Sequence, residues 1–154
     1  MTYREYQNMR QEGFNALPVF FAFSNKQLEE GLSERGLTMD DIGQLIRLGD
    51  TGGFFLRKDK PLIDAWFNKD YNKEIKDLIE SSDDFAHEAF SYEMANHEYP
   101  INWEGDYDVC SIFGNCEFSE EKDGADYLRD MGYSENIVSI YREEARAICR
   151  DFNY

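Results

Sequence analysis

The chain has 154 residues, a mean hydropathy of −0.69 and a formal net charge of −16. That length suits one domain, and twelve Phe with ten Tyr supply enough large side chains for a core, so the charge does not mean disorder. No apolar run approaches the roughly 18 residues that span a bilayer, and the opening MTYREYQNMRQEG lacks the apolar stretch of a secretory signal.

Thr2 followed by Glu5 is a capping box for a helix over about Tyr3 to Gly13. Pro18 precedes VFFAF (Val19 to Phe23), a short apolar run that reads as a buried strand. Ser24 with Gln27 opens a second helix that ends near Gly36, and Thr38 with Asp41 resembles a third box, opening a short turn or helix before Leu45. In LIRLGDTGGFFLRK (Leu45 to Lys58) two apolar runs flank Gly49-Asp50-Thr51-Gly52-Gly53, which reads as a hairpin or as a helix end followed by a strand. From Asp59, with Pro61 in its first turn, one long helix is predicted through Ile79. Its apolar face carries Leu62, Ile63, Trp66, Phe67, Tyr71, Ile75, Leu78 and Ile79.

Ser82 starts a helix that turns Phe85, Ala86, Ala89, Phe90 and Met94 inward and stops before Pro100. Residues 101–119 read as irregular, with VCSIF (Val109 to Phe113) as a candidate strand. Two helices close the chain, about Glu121 to Met131 and Ser134 to Phe152, the second with Ile137, Tyr141, Ala145, Ile148 and Phe152 as its inner stripe. The expected fold is α+β: a single, mostly helical domain over residues 1–154 with a small sheet of two to four strands. Three cysteines (Cys110, Cys116, Cys149) are an odd count that fits reduced thiols, so a cytoplasmic location is expected.

Charge is distributed unevenly. Residues 80–126 hold fourteen carboxylates and one cation, Lys122, for a net −13; residues 1–79 contribute −2 and residues 127–154 contribute −1. Both histidines lie in or beside this acidic segment, but His87 and His97 are ten apart, about 280° around a helix, and "HEYPI" does not complete the HExxH of a zincin. Asp106, Asp108, Cys110 and Glu117 occupy positions 1, 3, 5 and 12 of a calcium-loop register, yet Ser111 stands where that loop requires glycine and cysteine is a soft ligand for a hard ion. Asp50-Thr51-Gly52 matches an aspartic-protease tripeptide in a chain too helical for that fold, and the Gly49–Gly53 turn lacks the Lys-Ser/Thr of a phosphate loop. No catalytic residue and no cofactor is assigned.

The charge itself is the informative feature. Duplex DNA carries one charge per ~1.7 Å of axis, so thirteen charges match roughly 22 Å of duplex. Carboxylates at that density suit a basic protein surface, such as the channel of a nucleic-acid-binding enzyme, and steer a fast encounter with it. The expected contact residues are Asp83, Asp84, Glu88, Asp106, Asp108, Glu117, Glu120, Glu121 and Asp123, with Tyr92, Tyr99, Trp103 and Tyr107 as interface anchors or as core. Direct nucleic-acid binding is not expected, because the densest basic cluster is only Arg57, Lys58 and Lys60. A second reading is a divalent-metal-binding protein or metal-dependent enzyme using Asp106, Asp108 and Glu117; a third is a structural or regulatory protein whose acidity serves solubility.

At FNALPVFFAFSNKQLEEGL, GDTGGFFLRKD and YEMANHEY the chain resembles a family of small proteins from phages and mobile elements of Gram-positive gut bacteria. The resemblance covers roughly residues 3–104 and implies no catalytic residues. By analogy of class it implies an anti-defence role, as an inhibitor of a restriction enzyme or CRISPR nuclease acting by DNA mimicry.

Overall fold

Capping side chains decide where most of the helices begin. In the computed structural model, which describes residues 1–152, helix α1 (Tyr3–Asn15) starts at a closed box: the Glu5 amide donates to Thr2 Oγ1 at 3.1 Å and the Thr2 amide to Glu5 Oε2 at 2.8 Å. Ser24 accepts from the Gln27 amide at the head of α2 (Asn25–Glu34). Gln27 itself takes the amide of Phe23 rather than that of the cap. Thr38 and Asp41 cap a 3-10 turn over Met39–Gln44. Each cap satisfies amides that the first helical turn leaves without partners.

By its contacts the chain divides into two compact units, Asn8–Lys69 and Met1–Gln7 with the residues from Asp70 onward. The first is here the sheet unit. Strands β1 (Val19–Phe21), β2 (Leu45–Leu48) and β3 (Gly53–Leu56) form one antiparallel sheet in the order β1-β3-β2. Val19 pairs with Phe55, and Leu45 with Leu56 across the hairpin. Phe20 and Phe54 are cross-strand partners with rings 5.8 Å apart. Phe20 lies so close to Gly31 of α2 that a Cβ there would sit 2.3 Å from the ring, so glycine lets the helix approach the sheet. Leu32, Phe55, Leu56 and Ile63 are the large buried side chains of this small core.

The predicted long helix over residues 59–79 is two helices, α3 (Lys60–Asn68) and α4 (Tyr71–Ser81). The break falls at Lys69, whose backbone is extended, and Asp70, whose carboxylate caps α4 by accepting from the Lys73 amide. The apolar face is interrupted with it: Leu62 and Phe67 are exposed, while Ile75 and Ile79 are buried.

The second, acidic unit is built around α5 (Asp83–Asn96), which packs against α4, α6 (Gly105–Cys110) and α8 (Glu135–Phe152); α7 (Gly124–Asp130) packs on α6 and α8. Phe85, Ala86, Ala89, Phe90 and Met94 all point inward as the helical spacing predicts. Phe90 is fully buried and meets Phe113 and Tyr141 edge-to-face at 5.1 and 5.2 Å. Residues 101–119 depart from the expectation of an irregular segment with a strand at VCSIF: Val109 and Cys110 end α6 and Ser111–Phe113 form a 3-10 turn. The closing stripe of α8 holds at Ile137 and Tyr141, is half-buried at Ala145 and Ile148, and emerges into solvent at Phe152. With eight α-helices and one three-stranded antiparallel sheet among the described residues, the protein is mostly helical α+β.

Candidate functional site

All nine carboxylates singled out from the sequence lie in the acidic unit, but five of them have structural work to do. Asp83 accepts from the Asn136 side chain on α8 at 2.9 Å, and Glu88 accepts from the backbone amide of Arg4 at 3.2 Å. Asp106 Oδ1 accepts two tyrosine hydroxyls, Tyr99 and Tyr141, each at 2.7 Å. Asp108 accepts from Asn102 at 2.8 Å, and Asp123 caps α7 in a closed box with Asp126. Asp84, Glu117, Glu120 and Glu121 remain: all four are exposed, and no partner of their carboxyl groups is found among the described residues. These four are the predicted contact carboxylates that the fold leaves exposed without a partner among the described residues.

Cations do little to neutralise it. Lys122 reaches Asp130 at 2.7 Å, a hydrogen bond that raises the lysine pKa. Arg129 pairs with Glu135 through two hydrogen bonds of 2.7 and 3.0 Å, which holds that carboxyl below its ordinary range. Arg142, Arg146 and Arg150 recur every four residues along α8 as an exposed stripe, and no ion pair joins them to the nine among the described residues.

The calcium-loop register is not formed as a loop. Asp106 and Asp108 lie on helix α6, where residues two apart point about 200° from each other. Cys110 is fully buried, and burial pushes its thiol pKa up. Among the described residues no group of three or more His, Cys, Asp or Glu side chains is arranged to hold a metal ion. His87 and His97 go to different carboxylates, Glu144 at 2.8 Å and Glu93 at 3.4 Å. No described helix is long and apolar enough to cross a membrane.

Glu93 and His97, four apart in the sequence, share a helix face as that spacing implies, but the burial of Glu93 is what sequence reasoning missed. Glu93 is 4% exposed and accepts the Tyr3 hydroxyl at 2.8 Å. The Tyr3 hydroxyl is pushed well above its usual pKa, first by burial and then by this bond. The signal was present: Glu93 falls four after Ala89 and three after Phe90, on the buried face of α5. Directly after that helix Glu98 adopts φ 52° and ψ 44°, a left-handed conformation that non-glycine residues seldom take.

The four candidate aromatic anchors also separate. Tyr99 and Tyr107 are half-buried and Tyr92 is more open, whereas Trp103 is 78% exposed. Beside Trp103 the chain forms a concavity of about 380 Å³, lined by that ring, Tyr107, Phe118 and Tyr127 together with Glu104 and Glu120.

A family described as "Family of unknown function (DUF7659)" matches residues 2–123. The chain belongs to DUF7659. The match takes in all of the sheet unit and carries the DUF7659 pattern through α6 and the acidic loop to the cap of α7 at Asp123. No curated protein and no solved structure matches this DUF7659 chain.

Proposed function

We propose that the protein is a non-enzymatic binding protein whose acidic unit docks on a basic surface of another protein, one that handles nucleic acid. The observation that carries this reading is where the charge resides. The acidic unit holds 23 carboxylates against eight cations, a net −15, and the sheet unit nine against eight, a net −1. Its buried carboxylate, Glu93, accepts the Tyr3 hydroxyl on one oxygen and has His97 3.4 Å from the other, and four exposed ones have no partner among the described residues. Charge held in this way repels itself in the free protein and is relieved when a cationic partner arrives.

The partner class proposed is a bacterial defence enzyme, a restriction enzyme or CRISPR nuclease, which the protein would inhibit by taking the place of DNA. Support comes from the match in charge density to about 22 Å of duplex and from the resemblance to proteins of mobile elements. Capture from a bacterial lysate at low and high salt tests it, with a quadruple variant (Asp84→Lys, Glu117→Lys, Glu120→Lys, Glu121→Lys) as the control. The wild type is expected to retain a DNA-handling protein at low salt and release it at high salt. The variant should retain none, at an equal or higher melting temperature. A wild type that captures no such protein, or a variant that captures it equally well, overturns the reading.

A further inference from the structure

The concavity beside Trp103 has features that charge alone does not require. Its rings are chained edge to face: Trp103 meets Phe118 at 6.0 Å and 84°, and Phe118 meets Tyr107 at 5.5 Å and 78°. Tyr107 in turn lies 5.9 Å from Tyr127. Tyr127 is buried and clamps the acidic loop through Ser119: its hydroxyl accepts from that residue's amide and donates to its carbonyl, both at 3.0 Å. The wall is therefore preorganised at one end and open at the other, where Trp103 and Phe118 expose large apolar surface beside Glu104 and Glu120.

We propose that this cavity receives the side chain of an arginine carried by a basic protein partner. The inference rests on the acidic-unit reading above and adds the residue type that anchors the contact. A guanidinium is planar, stacks on aromatic faces and offers paired N–H donors to carboxylates. Aromatic walls with three carboxylates at the same cavity, Glu104, Glu120 and Asp106 (whose Oδ1 already accepts two tyrosine hydroxyls), answer each of those properties. A lysine ammonium is a compact and strongly hydrated point charge that cannot stack. An apolar side chain would strip water from the carboxylates and give them no donor. Lys122 also borders the cavity, but its ammonium is held by Asp130, so the protein's own cation does not fill the place.

Hexa-arginine and hexa-lysine peptides are the probes, and the two indole N–H resonances, of Trp103 and Trp66, are the reporters. Hexa-arginine is expected to shift the Trp103 resonance saturably, to leave Trp66 of the sheet unit unmoved, and to bind about tenfold more tightly than hexa-lysine. Trp103→Ala and Phe118→Ala should each weaken hexa-arginine about tenfold. Trp103→Phe, which keeps a ring, should restore part of the loss. Trp103→Ala should keep the wild-type melting temperature, because the ring it removes is exposed. Equal affinity for the two peptides, or affinity unchanged in Trp103→Ala, overturns the anchor. If that unchanged affinity is nevertheless lost in the quadruple charge-reversed variant, the anchor alone falls and the acidic docking surface stands. Arginine-selective binding through Trp103, with no DNA-handling protein captured from lysate, upholds the anchor and removes the proposed partner class.

Discussion

The two units contain the same number of cations, eight each, and differ in what they set against them. The sheet unit has nine carboxylates, seven of the twelve phenylalanines and no tyrosine; the acidic unit has 23 carboxylates and all ten tyrosines. In the sheet unit two of the eight cations pack on rings: Arg35 lies 4.2 Å over Phe20 and Arg10 5.6 Å over Trp66; in the acidic unit Lys76 lies 5.7 Å over Tyr133. In the acidic unit the inward-turned carboxylates take hydroxyl donors, Glu93 from Tyr3 on one oxygen with His97 3.4 Å from the other, and Asp106 from Tyr99 and Tyr141. A carboxylate turned from water needs a donor, and a lysine or arginine would supply one while cancelling the charge. Tyrosine supplies the donor and leaves the charge in place. Its prevalence beside carboxylates is therefore what permits a folded core and a large net charge in one unit.

That dependence makes alkaline pH the strongest test of the contrast. Tyr3, Tyr133 and Tyr141 are buried, and burial is the first cause that pushes each hydroxyl far above the ordinary value of 10.0. A group whose folded pKa is raised adds stability that is complete below its unfolded pKa and is lost as pH rises through the folded one. Each such tyrosine should therefore remove about 1.4 kcal/mol per pH unit above pH 10, so three of them bring the acidic unit to unfolding within one or two units. Tyrosinate absorbance and hydrogen exchange, followed together from pH 9 to 12, check this. Protection should collapse in the acidic unit as the last tyrosines ionise, while the sheet unit, which has none, lacks this loss. Complete ionisation near pH 10 with the fold intact would break the comparison.

A smaller effect isolates one carboxylate. Removing both donors to Asp106 (Tyr99→Phe with Tyr141→Phe) leaves a half-buried carboxylate without its two hydroxyl bonds. A loss of about 1–3 kcal/mol is expected, and it should be non-additive, because either hydroxyl alone still satisfies Oδ1. Urea unfolding of the two single variants and the double variant measures the coupling. Additive losses would mean that the hydroxyls act through packing and not through the shared oxygen.

Much of the fold was legible because local chemistry announces it. The boxes at Thr2 and Thr38, the cap at Ser82 and the glycine-rich hairpin are short-range signals, and the structure places elements where they point. The break at Lys69–Asp70 was not legible, since apolar spacing of three and four continues across it and registers a face without registering the axis that carries it. Helix α6 was missed because GDYDVC is too short for a 3.6-residue period to show. The surface was legible only as a composition. Which carboxylates stay free depends on partners far along the chain: Asp106 is 35 residues from Tyr141, and Glu93 is 90 from Tyr3. Likewise four neighbouring aromatics look alike in sequence, and only the fold leaves Trp103 in water.

The least of the expected effects bears on whether the charge is a burden in the free protein. Raising ionic strength from about 0.1 M to 1 M shortens the screening length from ~10 Å to ~3 Å. Screening weakens repulsion among the exposed carboxylates and attraction within the surface pairs alike. Those pairs (Lys122–Asp130, Arg129–Glu135 and Lys73–Asp77) are exposed, so solvent already screens them and each contributes little. With a net −15 the repulsive term dominates in the acidic unit, so salt should stabilise it by about 1 kcal/mol, a rise of roughly 4–8 °C in its melting temperature. The sheet unit, at −1, should respond little. Sodium and choline chloride should act alike, because screening does not depend on a specific cation site, and the quadruple reversal should flatten the response. If salt instead lowers the melting temperature of the acidic unit, attraction outweighs repulsion there, and its carboxylates are already compensated within the fold.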